Sequence, residues 1–209
     1  PMKHKVITIG CEYGAGGPEI GKRIAQALGI EFYDRDLVDK VVEQIGVDRD
    51  LVKKADAGSN VLYSFETQYG PRYANLTNRV IYNQFEVIQK FAEKSSCVII
   101  GRSADYILKD SKDIKLLRAF IYAPDEIRIQ NIMKSHSLSE SDAKILLLEK
   151  DKRYHKRHLA LTGSNRGDRH NRDILINSAF LGVEGTAEYL EELLSLIHIS
   201  EPTRRSYIS

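Results

Sequence analysis

A chain of 209 residues buries one sizeable core, so a single domain with an excursion is the expectation. Its 31 basic and 29 acidic residues leave a formal net charge of +2, which argues against nucleic acid or an anionic membrane as the partner. With no apolar run long enough to span a bilayer and no signal peptide, the chain is expected to be cytoplasmic, and Cys11 and Cys97, both at apolar strand edges, to be reduced core thiols.

Pro1 before Met2 has the form of a tag-removal scar, and residues 194–204 read like a translated sequencing adapter, so 194–209 is expected to be a non-native tail. The β-branched run from Lys5 to Ile9 predicts a strand. It ends at a glycine-rich stretch, Gly10 to Gly17, after which Ile20, Ile24, Ala27 and Leu28 fall on one helical face. Glycines at 14, 16 and 17 remove Cβ atoms that would block an anion from the backbone N–H groups, and the helix N-terminus adds partial positive charge. The alternative is a tight strand-to-helix turn in which glycine serves close packing. The loop resembles the P-loop pattern G-x-x-x-x-G-K-[ST], with Cys11 at its first glycine, Gly17 at its lysine and Pro18 at its hydroxyl.

Gly29 then stops the helix, and Ile30 to Tyr33 predicts a brief strand ending at Asp34-Arg35-Asp36, charges suited to the ligand side of an α/β sheet. Leu37, Val38, Val41, Val42 and Ile45 give a helical stripe, and Asp48 to Ala55 suits a further short helix. The polar stretch from Gly58 to Asn75, with Tyr63, Phe65, Tyr69 and Tyr73, is either a surface excursion or a substrate lid. Leu76, Val80, Val87, Ile88 and Phe91 predict a helix over 76–94, leading to the buried-strand run Cys97 to Ile100 and the polar cluster Gly101, Arg102, Ser103 and Asp105. Leu116 to Ala123 is the next strand, and Pro124-Asp125-Glu126 opens a helix. Ser139 to Asp142 resembles a capping box before a helix that turns densely charged from Glu149 to His158. Such a run is ordinarily a solvated face, but this one leads into a polar loop over 162–168 with further cations at Arg169 and Arg172. Asp173 to Asn177 is the fifth strand, followed by a helix through Val183, Ala187, Leu190 and Leu193. The alternation predicts an α/β fold with a five-stranded parallel sheet covered by helices on both faces, its glycine loop, Asp34-Arg35 and Arg102 at one edge.

The ordered blocks Tyr13 to Gly17, Phe32 to Arg35, Ile100 to Asp105, Ala123-Pro124, Asp151 to Arg153, Gly167-Asp168 and Asp173 to Asn177 resemble the cytidylate kinase-like family of P-loop proteins over residues 3–193. The resemblance implies a P-loop NTPase fold of the nucleoside monophosphate kinase type: one domain over 1–193, a helical substrate-binding excursion at about 36–95 and a basic lid at about 149–172. It implies ATP and Mg2+ as cofactors and a nucleotide with a small phosphorylated acceptor as ligands. Gly14, Ala15, Gly16 and Gly17 fall on the phosphate-binding loop, Asp34, Arg35, Arg102 and Asp105 on acceptor-binding strand ends, and Arg153 and Arg157 on the lid. Because Gly17 supplies no ammonium, Lys22, a turn and a half along the helix, joins Arg102, Arg153 and Arg157 as a replacement cation; Lys22, Arg153 and Arg157 are the catalytic candidates.

No protein-built metal site is expected: Glu12, Glu19, Ser103 and Asp105 suit magnesium or local caps equally, and His155 and His158 beside Asp151 lack a ligand set. Two function classes follow, an ATP-dependent phosphotransferase and a catalytically silent nucleotide-binding or sensing protein. The aromatic-rich excursion is compatible with a homodimer.

Overall fold

Five short runs of isoleucine, valine and leucine pair side by side because each is apolar enough to be covered on both faces. In the computed structural model the described residues are 3–44, 46 and 71–197, the backbone alone for 71–78. The strands are β1 (His4–Cys11), β2 (Glu31–Tyr33), β3 (Cys97–Ile100), β4 (Ile114–Tyr122) and β5 (Ile174–Asn177). They form one sheet in the order β2-β3-β1-β4-β5, with every pairing parallel. The helices are α1 (Gly17–Leu28), α2 (Arg35–Gln44), α3 (Pro71–Lys94), α4 (Ala104–Ile107), α5 (Asp125–His136), α6 (Glu140–Thr162) and α7 (Ser178–Leu196).

The two-residue period of the strands divides the core. Ile7, Ile9, Val98, Ile100 and Ile121 face α1 and α7, meeting Ile20, Ile24 and Leu190. Val6, Cys97 and Ile99 face the other way, against Val38, Val42, Val80 and Ile88 of α2 and α3. A smaller cluster of Ile132, Ala143 and Leu147 joins α5 to α6. Both cysteines are free and buried, as composition suggested.

Several boundaries differ from the sequence expectation. The buried face of α1 is Gly17, Ile20, Gly21, Ile24 and Ala25, and Leu28 is 40% exposed, because Gly29 ends the helix before another turn can pack. The long helix begins at Pro71 rather than at 76, since proline suits a first turn. The short α4 was not anticipated. Segments 48–55 and 58–70 lie outside the described residues, as do 198–209. Leu194, placed by sequence in the tail, is buried on α7.

Parallel register carries the loops to one edge. Ile9 lies opposite Ile100, and the Gly101 N–H donates to the Ile9 carbonyl at 2.9 Å, so the chain leaves β1 and β3 side by side. On α1, a Cβ added to Gly21 would lie 2.6 Å from Ile100 Cδ1 and 3.2 Å from Val98 Cγ1. Gly21 therefore sets how closely α1 rests on the sheet. Gly21→Val is expected to cost about 3 kcal/mol by overpacking, read as a lower urea midpoint at unchanged m-value.

Candidate functional site

The loop from Gly10 to Gly17 is held by its carbonyls. Arg166 Nη2 donates to the Cys11 carbonyl, Arg128 Nη1 to that of Tyr13 at 3.2 Å, Asn131 Nδ2 to that of Gly14 at 2.9 Å, and Ser178 Oγ to that of Ala15 at 2.7 Å. The Tyr13 N–H is used too, donating to Asp151 Oδ1 at 3.0 Å. Among the described residues the N–H groups of Gly14, Gly16 and Gly17 meet no acceptor, and they lie at the head of α1, where the helix dipole favours an anion. Gly14 has φ +82°, and a Cβ there would lie 2.7 Å from the Arg128 carbonyl oxygen, so glycine is required on both counts.

Two of the three departures from the P-loop pattern, Cys11 and Gly17, prove to be one packing event. A Cβ at Gly17 would lie 2.4 Å from Cys11 Sγ and 2.6 Å from Cys11 Cβ. The thiol occupies the space through which a side chain at position 17 would leave the backbone.

Beside the loop, at the ends of β1 and β3, lies a chamber of about 30 Å³, room for about one water. Its walls include Arg35, Arg102, Arg157, Arg166, Arg172 and His158. Burying so many cations is costly unless each has a counter-charge or acceptor. Arg172 pairs with Asp105 at 3.2 Å and lies over the Phe120 ring, and Arg102 pairs with Asp39. Gln84, fully buried on α3, donates to Asp39 at 3.1 Å and accepts from Arg157 Nη2 at 2.7 Å, joining α2 to α6. Arg35 lies 4.0 Å above the Tyr154 ring. Burial pulls the guanidinium pKa values of Arg166 and Arg172 below the ordinary arginine range.

His158 Nδ1 is 3.0 Å from Ser103 Oγ. Burial first, and then the guanidiniums of Arg172, Arg166 and Arg157, lower its pKa to about 4, against the opposing charge of Asp105. Arg102 and Ser103 reach the chamber from a left-handed turn, with φ 54° and 55° following Gly101 at 68°, closed by the Ala104 N–H on the Gly101 carbonyl at 3.1 Å.

A second cavity of about 540 Å³ opens over the loop between α1 and α5, lined by Tyr13, Gly14, Gly16, Arg35, Asn131 and His136 among others. The Tyr13 hydroxyl and His136 Nε2 are 2.8 Å apart at its rim.

A family profile described as the cytidylate kinase-like family matches residues 6–179. The chain belongs to the cytidylate kinase-like family. A protein named cytidylate kinase from Pyrococcus horikoshii is 25% identical over 185 residues, 88% of this chain and 85% of that one. An uncharacterized protein from Eubacterium ventriosum has a solved structure with TM-score 0.72 at 24% identity, covering 92% of this chain and 99% of that one. Shikimate kinase from Bacteroides thetaiotaomicron shares TM-score 0.51 at 14% identity, again over 92% of this chain and 99% of that one. The fold is the α/β P-loop NTPase fold.

In this cytidylate kinase-like chain, Gly14, Ala15, Gly16 and Gly17 form the loop, and Arg35, Arg102, Asp105 and Arg157 meet around one chamber. Three other sequence candidates stand elsewhere. Asp34 caps α2, its Oδ1 accepting from the Leu37 N–H at 2.8 Å. Lys22 is on the exposed face of α1 and lines neither cavity, and Arg153 lies 5.3 Å from the Tyr154 ring, outside the chamber walls. Sequence reasoning missed Arg166, His158, Gln84, Asp39 and Arg128. The available signal was Gln84, a polar residue at an apolar stripe position of α3.

The shared volume of Cys11 and Gly17 makes a double-mutant cycle informative: Gly17→Ala alone is expected to cost about 2 kcal/mol, much of it recovered in the Cys11→Gly background, read by chemical denaturation. His158 gives a pH signature. Its folded-state pKa of about 4 lies below the unfolded value of 6.5, so its contribution is complete above pH 6.5 and is lost as pH falls towards 4. The expected loss is on the order of 3 kcal/mol, and His158→Gln is expected to flatten that part of the stability profile.

Proposed function

We propose that the chain is an ATP-dependent phosphotransferase of the nucleoside monophosphate kinase type, acting on a nucleoside monophosphate or a related small phosphorylated acceptor. The observation that carries this reading is the loop whose carbonyls are all engaged while the N–H groups of Gly14, Gly16 and Gly17 are left for an anion, beside a chamber walled by arginines. Those N–H groups, at the head of α1, fit the phosphates of ATP. Mg2+ enters on the triphosphate, with phosphate and water oxygens as its main ligands.

When bound, ATP supplies the phosphoryl group. The loop N–H groups then hold the donor phosphates. Arg35 and Arg102, at the ends of β2 and β3, orient the acceptor phosphate, while Asp105 steadies the chamber through Arg172. Arg153 and Arg157, on a lid running over about 149–172, close on the reacting centre. Phosphoryl transfer asks mainly for alignment and positive charge, and this chain concentrates both at one sheet edge. The relative named cytidylate kinase makes cytidine monophosphate the first acceptor to test.

The filled space at position 17 favours a second reading, a nucleotide-binding or sensing protein without turnover. One experiment separates the two. Calorimetric titration of ATP–Mg, followed by a product assay with each nucleoside monophosphate, is expected to show saturable binding and a phosphorylated product. Arg157→Ala is expected to lower kcat on the order of 100-fold. Binding without product for any acceptor establishes the second reading, and no binding removes both.

A further inference from the structure

The space for a lysine at position 17 is filled, yet the loop still faces a cation. Arg166, on the segment after α6, places its guanidinium against the Cys11 carbonyl, one packing layer from Gly17. Its side chain is 12% exposed and lies 3.7 Å from Asp151 Oδ1, the same oxygen that accepts from the Tyr13 N–H. Arg166 is thus tied to the loop twice, once through a carbonyl and once through a shared carboxylate. Its guanidinium lies 5.1 Å from the Tyr154 ring and 5.9 Å from that of Phe120. It also stands as a wall between the arginine chamber and a cavity of about 610 Å³ that opens past Glu12, Phe120 and Lys152.

Two other chamber cations are held by carboxylates, Arg172 by Asp105 and Arg102 by Asp39, while Arg157 donates to the Gln84 amide oxygen and Arg35 lies over the Tyr154 ring. The hydrogen-bond acceptor of Arg166 is a neutral carbonyl oxygen, a weaker acceptor for a guanidinium than a phosphate oxygen. Exchange of one for the other breaks no direct carboxylate hydrogen bond, the Asp151 oxygen lying 3.7 Å from the guanidinium. The movement also enlarges a chamber that holds about 30 Å³ as it stands.

We propose that Arg166 takes the place of the P-loop lysine: on nucleotide binding its fork leaves the Cys11 carbonyl for the oxygens of the transferring phosphate. The proposal rests on the phosphotransferase reading. In the step, an acceptor phosphate oxygen forms a bond to the terminal phosphorus. The bond from that phosphorus to its bridging oxygen breaks, and the electron pair leaves with the nucleoside diphosphate. Arg166 neither gives nor takes a proton; it holds negative charge on the terminal and bridging oxygens.

The test compares wild type, Arg166→Ala, Arg166→Gln and the exposed-residue control Arg169→Ala, with circular dichroism confirming the fold of each. Arg166→Gln retains a donor for the Cys11 carbonyl without the charge. Expected are a roughly 10- to 100-fold loss of ATP–Mg affinity and a roughly 1,000-fold loss of kcat in both Arg166 variants, with Arg169→Ala unchanged. Adding Cys11→Gly with Gly17→Lys to Arg166→Ala is expected to restore at least ten-fold in ATP affinity, because a side chain then has room to leave position 17. Unchanged ATP affinity in a folded Arg166→Gln overturns the proposal, and so does a loss that the lysine does not relieve. If wild type binds ATP but transfers no phosphate, the kinase reading fails, while the affinity series still decides whether Arg166 meets the phosphates.

Discussion

Cys11 and Gly17 share one volume, and the rest of the site follows from that exclusion. With a thiol where a side chain would emerge, the first turn of α1 meets β1 more closely than a loop carrying lysine allows. A cation that faces the loop must then come from outside it. Four side chains from three segments, Arg128 and Asn131 of α5, Arg166 after α6 and Ser178 of α7, seize the loop carbonyls in turn. The loop is thereby sorted into carbonyls bound to protein and three glycine N–H groups, those of Gly14, Gly16 and Gly17, that meet no acceptor among the described residues. That sorting, more than any single residue, makes the segment electropositive.

The cations beside it are tolerable only because carboxylates are distributed among them. Arg128 shows the pattern at small scale: it is 5% exposed, with Asp125 at 2.7 Å and Asp151 at 2.5 Å. Burial works against its charge, and the two carboxylate hydrogen bonds outweigh it, leaving its pKa raised. Arg166 and Arg172 show the opposite balance, with burial prevailing over their partners. Arg172 keeps Asp105 as its counter-charge, so of the two Arg166 is the one an incoming anion stabilises more. The chain thus separates bracing arginines from receptive ones by how fully each is compensated.

The sheet, its helices on both faces and the glycine loop were legible because they rest on local signals: apolar runs, a 3.6-residue stripe and Gly-rich punctuation. The meeting of Arg35 with Arg102 was legible too, since parallel crossovers carry strand ends to one edge. Arg166 and Arg172 were not, because they sit on segments without periodicity, where no rule aims a side chain. His158 was hidden among nine charged or titratable neighbours on α6, a run whose usual meaning is solvated surface, although Arg157 and His158 both turn inward. Cys11 and Gly17 each stood out as a departure from a pattern, but sequence spacing does not reveal that the two departures fill one hole. Lys22 illustrates the converse: its spacing along α1 is suggestive, while the helix rotation that buries Gly21 and Ile24 leaves it facing solvent.

The left-handed turn at the end of β3 sets a limit of another kind. Arg102 and Ser103 occupy a backbone region that costs non-glycine residues about 1 kcal/mol or more each. Glycine at either position relieves that strain, and in the same act removes a guanidinium or the hydroxyl that faces His158. At these two residues heat resistance and ligand chemistry draw on one reserve, so thermostability gained here comes out of the site itself.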